Sequence, residues 1–266
     1  MRLLFKFVFL LCCAALGFSS CQRIIDVEVT NASQQLVIEG NVTNAGTTQT
    51  VIISHTVPYS SSNIYPAVPG AKVTLADATG NTYKLPETTT AGTYTINNFR
   101  GKPFGLYILN VSLDGKVYTA TSVMPAVVNL DSLTVSGQVL GSTVVKSVVV
   151  NYHDPAGGAN QYKYVMYVNG IMVKRIFVEN DQLTDGRPVS TVLYQRDTKL
   201  KKGDKVDVDM QCIDLAVYYY WDNLSGQGGN SPSDSSTPAN PPTNFNNNIL
   251  GYFSAHTMQR KSIIIP

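Results

Sequence analysis

The side chains best suited to chemistry are spread thinly along this sequence. His55, His153 and His256 stand far apart, and none has a second histidine or a cysteine at metal-site spacing. His153 and Asp154 form the most reactive neighbouring pair, but Pro155 and a glycine pair follow, so turn formation explains Asp154 well. We therefore predict no metal site, with a cation or ligand site at this pair as the minority alternative.

Three carboxylates crowd a second stretch, at Asp204, Asp207 and Asp209. Calcium prefers oxygen ligands, but this stretch lacks the loop glycine and the terminal glutamate of an EF-hand. Asp207 and Asp209 are two residues apart in an alternating segment, so both point to one side of a predicted strand. The pattern favours a solvated strand face and leaves calcium as the weaker alternative.

No catalytic motif is present. The sequence contains no Gly-x-Ser-x-Gly, no phosphate-binding loop and no His-Glu-x-x-His. Cys212 is the one cysteine beyond residue 21, and its apolar neighbours predict a core position. We predict no catalytic residue and no cofactor. Paired carboxylates from distant strands stay an alternative, because sequence spacing does not reveal such pairs.

The clearest chemical signal is the cysteine that closes the first 21 residues. Arg2 and Lys6 give a basic start, Leu3 to Phe18 is a mostly apolar run, and Ser19-Ser20 leads into Cys21. This segment resembles a bacterial lipoprotein signal, in which the peptide is removed and the cysteine is acylated with palmitate. We predict a signal peptide over 1–20 and lipidation of Cys21.

An ordinary cleaved signal and an uncleaved anchor are the alternatives, although the run is short for a spanning helix of about 20 residues. Residues 21–34 are then a lipidated tether that attaches the body to a membrane. Gln22 is not aspartate, so by analogy with other bacterial lipoproteins the predicted location is the outer membrane. The sequence leaves both its periplasmic and its surface face open.

Charge argues against one class of partner. Without Arg2 and Lys6, 18 basic residues remain against 18 acidic ones, and no basic stripe is present. Because binding to nucleic acid depends on clustered lysine and arginine, we predict no nucleic acid partner.

The positions of turns predict a mainly β chain in two parts. Composition is rich in Thr, Val, Tyr, Asn and Gly, and turn signals recur about every dozen residues. Asp114-Gly115 and Asn169-Gly170 separate alternating runs and predict two tight hairpins. We predict an Ig-like sandwich over 35–125 and a second β domain with one packed helix over 126–266, ending in strands at 249–255 and 262–265.

The predicted helix spans 214–224, with Asp214 as its cap and Gly226 at its end. Four successive aromatic residues, 218–221, cannot share one helix face, so some must be exposed. A long polar loop over 225–248 follows. We predict a binding surface at Tyr218 and Tyr219 with Asn246 and Asn247, although core packing explains Trp221 and Tyr220.

The first part resembles transthyretin-like or carboxypeptidase-regulatory-like sandwich domains. The residues that carry this resemblance are Gly70-Ala71-x-Val73-x-Leu75, Gly80, Gly92-x-Tyr94, Tyr107 and Tyr118. With the signal segment, the QLVIEG strand at 35–40 and the YTATSVMP run at 118–125, the whole chain looks like the Bacteroidota lipoproteins catalogued as domain of unknown function 4249.

The resemblance implies a non-catalytic module that binds or spaces, near a TonB-dependent outer-membrane receptor. We expect an accessory or binding component of an uptake system, with a glycan or peptide as ligand. A structural or adhesion lipoprotein of the cell surface is the alternative, and an envelope hydrolase is the weakest.

Overall fold

The computed structural model describes residues 33–58, 64–140, 143–195, 198–227, 240–247 and 249–266. The predicted signal peptide, Cys21 and most of the tether lie outside this part of the chain. Its elements are β1 (Leu36–Thr43), β2 (Gln49–His55), β3 (Lys72–Asp77), β4 (Thr82–Leu85), β5 (Thr93–Ile96), β6 (Leu106–Leu113), β7 (Lys116–Val123), β8 (Leu130–Leu140), β9 (Thr143–His153), β10 (Gln161–Val168), β11 (Ile171–Met172), β12 (Phe177–Asn180), β13 (Pro188–Leu193), β14 (Lys205–Ile213), α1 (Leu215–Gln227) and β15 (Leu250–Ile264).

One eight-stranded sheet extends through the body. Its order is β11-β10-β14-β15-β1-β2-β5, and β12 also pairs with β10. The first half of β15 runs parallel to β1, and its second half pairs antiparallel with β14. The last strand therefore joins segments from the beginning and the end of the chain. The prediction of two separate closing strands is wrong, because residues 250–264 form this single strand of 15 residues.

Two smaller sheets cover one face of the large sheet. The sheet β4-β3-β6-β7 encloses a first core with β1, β2 and the start of β15, centred on Ile38, Leu109 and Phe253. The sheet β13-β9-β8 encloses a second core with β10 and β14, which includes Tyr164 and Val208. The prediction of a mainly β, sandwich-type fold is confirmed. The domain boundary after residue 125 stays a prediction.

Both predicted hairpin turns are confirmed. Asp114 and Gly115 have φ values of 49° and 76°, and Asn169 and Gly170 have 51° and 82°. Two-residue turns of this kind need positive φ at both positions, which asparagine, aspartate and glycine accept at little cost. The turns set the register of β6 with β7 and of β10 with β11.

The helix packs on the opposite face of the large sheet. Val217 and Tyr220 are buried there with Tyr252 of β15, and Trp221 and Leu224 pack against this third core. The core packing that the sequence predicted for Tyr220 and Trp221 is confirmed. The helix continues to Gln227, so Gly226 lies within its last turn rather than after it.

Candidate functional site

The start of α1 is fixed by a partly buried carboxylate, Asp214. Asp214 Oδ1 accepts a hydrogen bond from Val217 N–H at 2.9 Å, the bond of an N-cap. Its other oxygen accepts the Ser122 hydroxyl of β7, and Ser122 Oγ in turn accepts the Ala255 N–H at 2.8 Å. Burial raises the pKa of Asp214. These bonds hold the helix over β15 and thereby position its aromatic residues.

The four aromatic residues of α1 have different environments. Tyr220 is buried between Trp221 and Tyr252, with ring centroids 5.2 and 5.0 Å away. Tyr218 is only 8% exposed, and its hydroxyl accepts the Asn180 side-chain N–H at 3.0 Å. Tyr219 is 49% exposed. Of the two tyrosines predicted to bind, Tyr219 is the one whose ring a ligand can reach, and the binding role of both stays a prediction.

A lysine on the sheet lies against the aromatic side of the helix. The Lys163 ammonium lies 4.0 Å from the centroid of the Trp221 ring, within the range of cation–π attraction. Burial lowers the pKa of Lys163 to about 8, and the nearby Glu39 and Asp209 act in the opposite direction. Burial also raises the pKa of Glu39. Neither Lys163 of β10 nor Glu39 of β1 was predicted from the sequence to contribute to a site.

The floor beside the helix is lined by polar side chains of β1 and β15. The Asn41 amide donates to the Tyr252 hydroxyl at 3.2 Å, and Ser254 Oγ lies 3.0 Å from His256 Nδ1. His256 is 5% exposed, and burial, followed by the charge of Lys163, lowers its pKa to about 3. The face therefore combines aromatic rings, amides and charged groups.

One aspartate of the predicted solvated strand face is buried. Asp209 is 3% exposed and accepts two hydrogen bonds from Arg260, at 2.5 Å from Nε and 2.6 Å from Nη2. The prediction that this face is solvated is therefore wrong at Asp209, because a bidentate arginine neutralises the charge. Asp204 instead accepts the Lys201 N–H at 2.7 Å, and Asp207 accepts the Ser262 hydroxyl. Each carboxylate thus has its own protein partner.

Asn246 and Asn247 bind the edge of β7. Thr119 N–H donates to Asn246 Oδ1 at 2.8 Å, and Asn246 N–H donates to the Thr119 carbonyl at 2.9 Å. Asn247 Nδ2 donates to the Val117 carbonyl at 2.9 Å. These asparagines contact β7, whereas Tyr218 contacts β12, so the described contacts place the two predicted pairs on different elements.

An open groove lies beside Asn247. Its volume is about 630 Å³, and its lining includes Gln35, Lys116, Val117 and Ile249. The groove lies where the chain enters β1, and Val117 is half exposed. Its walls are both polar and apolar. Of its lining residues, only Asn247 was predicted from the sequence to bind a ligand.

The structure also brings together three carboxylates that the sequence separates. Ligand oxygens of Asp154, Asp181 and Asp185 lie within 4.8 Å of one another. Asp154 accepts the buried Tyr162 hydroxyl, Asp181 accepts Asn160 N–H at 2.7 Å, and Asp185 accepts Gly157 N–H at 2.8 Å. These bonds tie two loops to β10.

Replacing Asp154 by alanine is expected to lower the free energy of unfolding by about 2 kcal/mol, because it leaves the fully buried Tyr162 hydroxyl without its acceptor. Urea unfolding followed by circular dichroism measures the change. Asp185→Ala is the control, since Asp185 is exposed and a loss below about 1 kcal/mol is expected. Equal losses of unfolding free energy in the two variants would contradict the structural importance of the bond between Asp154 and Tyr162.

The remaining candidates occupy structural positions. Cys212 is 4% exposed, and burial raises the pKa of its thiol, so the prediction of a core cysteine is confirmed. His153 is exposed, and its Nδ1 lies 3.0 Å from the Asp154 carbonyl oxygen. Among the described residues, no helix has both the length and the apolar character to cross a membrane.

Fold and site together define a sandwich-type β protein that has, within its described residues, one helix and a mixed aromatic and ionic face. The chain belongs to the family described as "Domain of unknown function (DUF4249)", which matches residues 22–262. No curated protein matches the chain.

Two solved structures are among its distant neighbours. One is a two-domain fibronectin type-III segment of chicken tenascin, at 13% identity and a TM-score of 0.23, covering 67% of this chain and 90% of that one. The other comprises the FN1–FN3 domains of chicken CNTN1, at 12% identity and a TM-score of 0.25, covering 70% and 62%.

Proposed function

We propose that this protein is a lipid-anchored, non-catalytic binding component of the outer membrane of a Bacteroidota cell. The support for the anchor is the pattern of residues 1–21, with its basic start, apolar run and final cysteine. Acylated Cys21 would tether the body to the membrane surface through residues 22–35, since β1 begins at Leu36.

The observation that supports binding is the face beside α1. A half-exposed Tyr219 lies on the same helix as Trp221, and the Lys163 ammonium lies against the Trp221 ring. Binding sites commonly combine aromatic surface with a few polar groups that fix orientation. Asn41 and Glu39 supply an amide and a carboxyl group on β1, the strand that pairs with β15. A glycan or a peptide presents the hydroxyl, amide and apolar groups that such a face can contact.

The proposed partner is a TonB-dependent receptor, for which this protein acts as an accessory in uptake. The near-neutral body suits a protein partner or a neutral ligand better than nucleic acid. The transthyretin-like identity of the first sandwich belongs to the same proposal, in which that sandwich spaces the binding face from the membrane.

Anchoring is tested by Cys21→Ala. We expect this change to abolish labelling by radioactive palmitate and to move the protein out of the membrane fraction. Cys13→Ala is the matched control, because Cys13 lies within the apolar run and its loss should leave labelling unchanged. Labelling that survives Cys21→Ala would contradict the anchor.

Tyr219→Ala is expected to reduce receptor recovery from detergent-solubilised native membranes about tenfold, the size of a strong aromatic contact at an interface. Tyr65→Ala is the matched control, since Tyr65 is 57% exposed but lies outside the helix face. Recovery that is equal for both variants and the wild type would exclude a partner contact through Tyr219. Because Tyr218 is buried, its replacement disturbs packing and is the weaker test.

A further inference from the structure

Strand β8 forms one edge of the three-stranded sheet. In the order β13-β9-β8, the described part of the chain gives β8 one backbone partner, β9, over ten residue pairs. Side chains of β15 bind the first two residues of β8, since Leu130 N–H donates to Gln259 and the Asp131 carbonyl accepts Lys261. From Ser132 onward, the other side of the strand presents its N–H and C=O groups outward. An exposed edge of this length is a template for pairing with another strand.

The other edges of the two smaller sheets, formed by β4, β7 and β13, are protected in recognisable ways. Strand β4 has four residues, includes Lys84 and is followed by Pro86. Strand β13 has Pro188 as its first residue. The edge of β7 is bound by the segment 244–247. Short length, lysine, proline and a covering segment are the devices that keep sheet edges from pairing.

Strand β8 has none of these devices beyond its first two residues. From Ser132 to Val145 the sequence contains neither a charged residue nor a proline. At the far end of the hairpin, Val139 and Val144 face each other and are 70% and 57% exposed. Leu133 and Val135 pack on the second core, whereas Thr134 is exposed. The strand is thus apolar on one side and neutral on the other.

We propose that β8 pairs antiparallel with β8 of a second copy of this chain, across a two-fold axis. Such a contact is self-complementary, because the two-fold axis places the same strand of each copy opposite the other. Like charges opposite one another would destabilise it, and the neutral stretch from Ser132 to Val145 provides none. The apolar row of Leu133 and Val135 would continue across the axis into the partner's sheet.

Cysteine cross-linking in native membranes tests this pairing with the full chain. The single variants Thr134→Cys, Ser136→Cys and Gln138→Cys scan the strand, and mild oxidation is followed by a non-reducing gel. A disulfide needs Cα atoms about 5.5 Å apart, so the position nearest the axis should give at least roughly tenfold more homodimer than the others or the wild type. Cys212 is buried and adds little background.

Thr82→Cys is the matched control, because Thr82 is an exposed threonine on the edge strand β4. It should give no homodimer. The proposal is overturned if no β8 position cross-links, if Thr82→Cys cross-links as strongly, or if mass spectrometry shows that the linked partner is a different protein.

Discussion

Gly251→Ala is expected to prevent the body of this protein from folding. Gly251 has a φ of +104°, a left-handed conformation that side chains rarely adopt. A Cβ atom there would lie 2.0 Å from the Ile38 carbonyl oxygen and 2.7 Å from its carbon. Since Ile38 and Gly251 are register partners in the parallel pairing of β1 with β15, neither backbone can move without breaking that pairing.

The expected loss exceeds about 4 kcal/mol of unfolding free energy, a size that strain and overlap with backbone atoms can reach. Gly46→Ala is the control that separates the two causes. Gly46 also has positive φ, +80°, but no atom lies within 4 Å of its added Cβ. Gly46→Ala should therefore lower the free energy of unfolding by about 1–2 kcal/mol, through strain alone. Circular dichroism and urea unfolding measure both, and similar losses would contradict the importance of the β1–β15 contact.

Acid is expected to destabilise the protein through His256. Its pKa in the folded protein is about 3, against an ordinary value of 6.5, because it is buried beside Lys163. Below pH 6.5 the unfolded chain therefore binds a proton at this residue that the folded chain does not, and stability falls as the pH falls toward 3. The contribution is about 1.4 kcal/mol per pH unit, or about 3 kcal/mol between pH 6.5 and 4.

His256→Gln is expected to remove this part of the pH dependence. The measurement is the free energy of unfolding at several pH values from 7 to 4, compared as slopes between variant and wild type. Lys163 of β10 is the charged group that acts on His256, and Glu39 of β1 and Asp209 of β14 act on Lys163; all three are present in both proteins. His153→Gln is the control, since His153 is exposed. Equal slopes for His256→Gln and wild type would contradict the buried neutral imidazole.

Local features of the fold were predictable because their causes are local. Asp114-Gly115 and Asn169-Gly170 specify their turns by the backbone angles that they accept. Asp214 specifies the start of α1 by the hydrogen bond that its side chain can accept. In each case the interacting groups lie within a few residues of one another.

The parallel pairing of β1 with β15 was not predictable in the same way. It joins residues 37–43 to 250–256, more than 200 positions away, and no short pattern specifies such a register. The same reason explains why the closing strands were predicted as two. The segment between them is polar and includes Gln259 and Arg260. It continues the strand because Arg260 pairs with the distant Asp209 of β14.

The candidate site was predictable in part. Aromatic residues at 218–221 indicated a mixed helix face, and Tyr219 is indeed exposed while Tyr220 is buried. Lys163 gave no signal, because a single lysine between two tyrosines is an ordinary strand pattern. Its position over Trp221 arises only when β10 and α1 pack together. Burial of Tyr218 depends likewise on Asn180 of β12.

We propose that this protein is a lipid-anchored accessory of an uptake receptor. The most direct measurement is a mild-detergent pull-down of the tagged protein from its native membrane, with quantitative mass spectrometry of what is recovered beside it. We expect a TonB-dependent receptor to be recovered in near-equal amount with the wild type and to be lost with Cys21→Ala. Recovery of the wild-type protein from the membrane without any receptor would contradict the account.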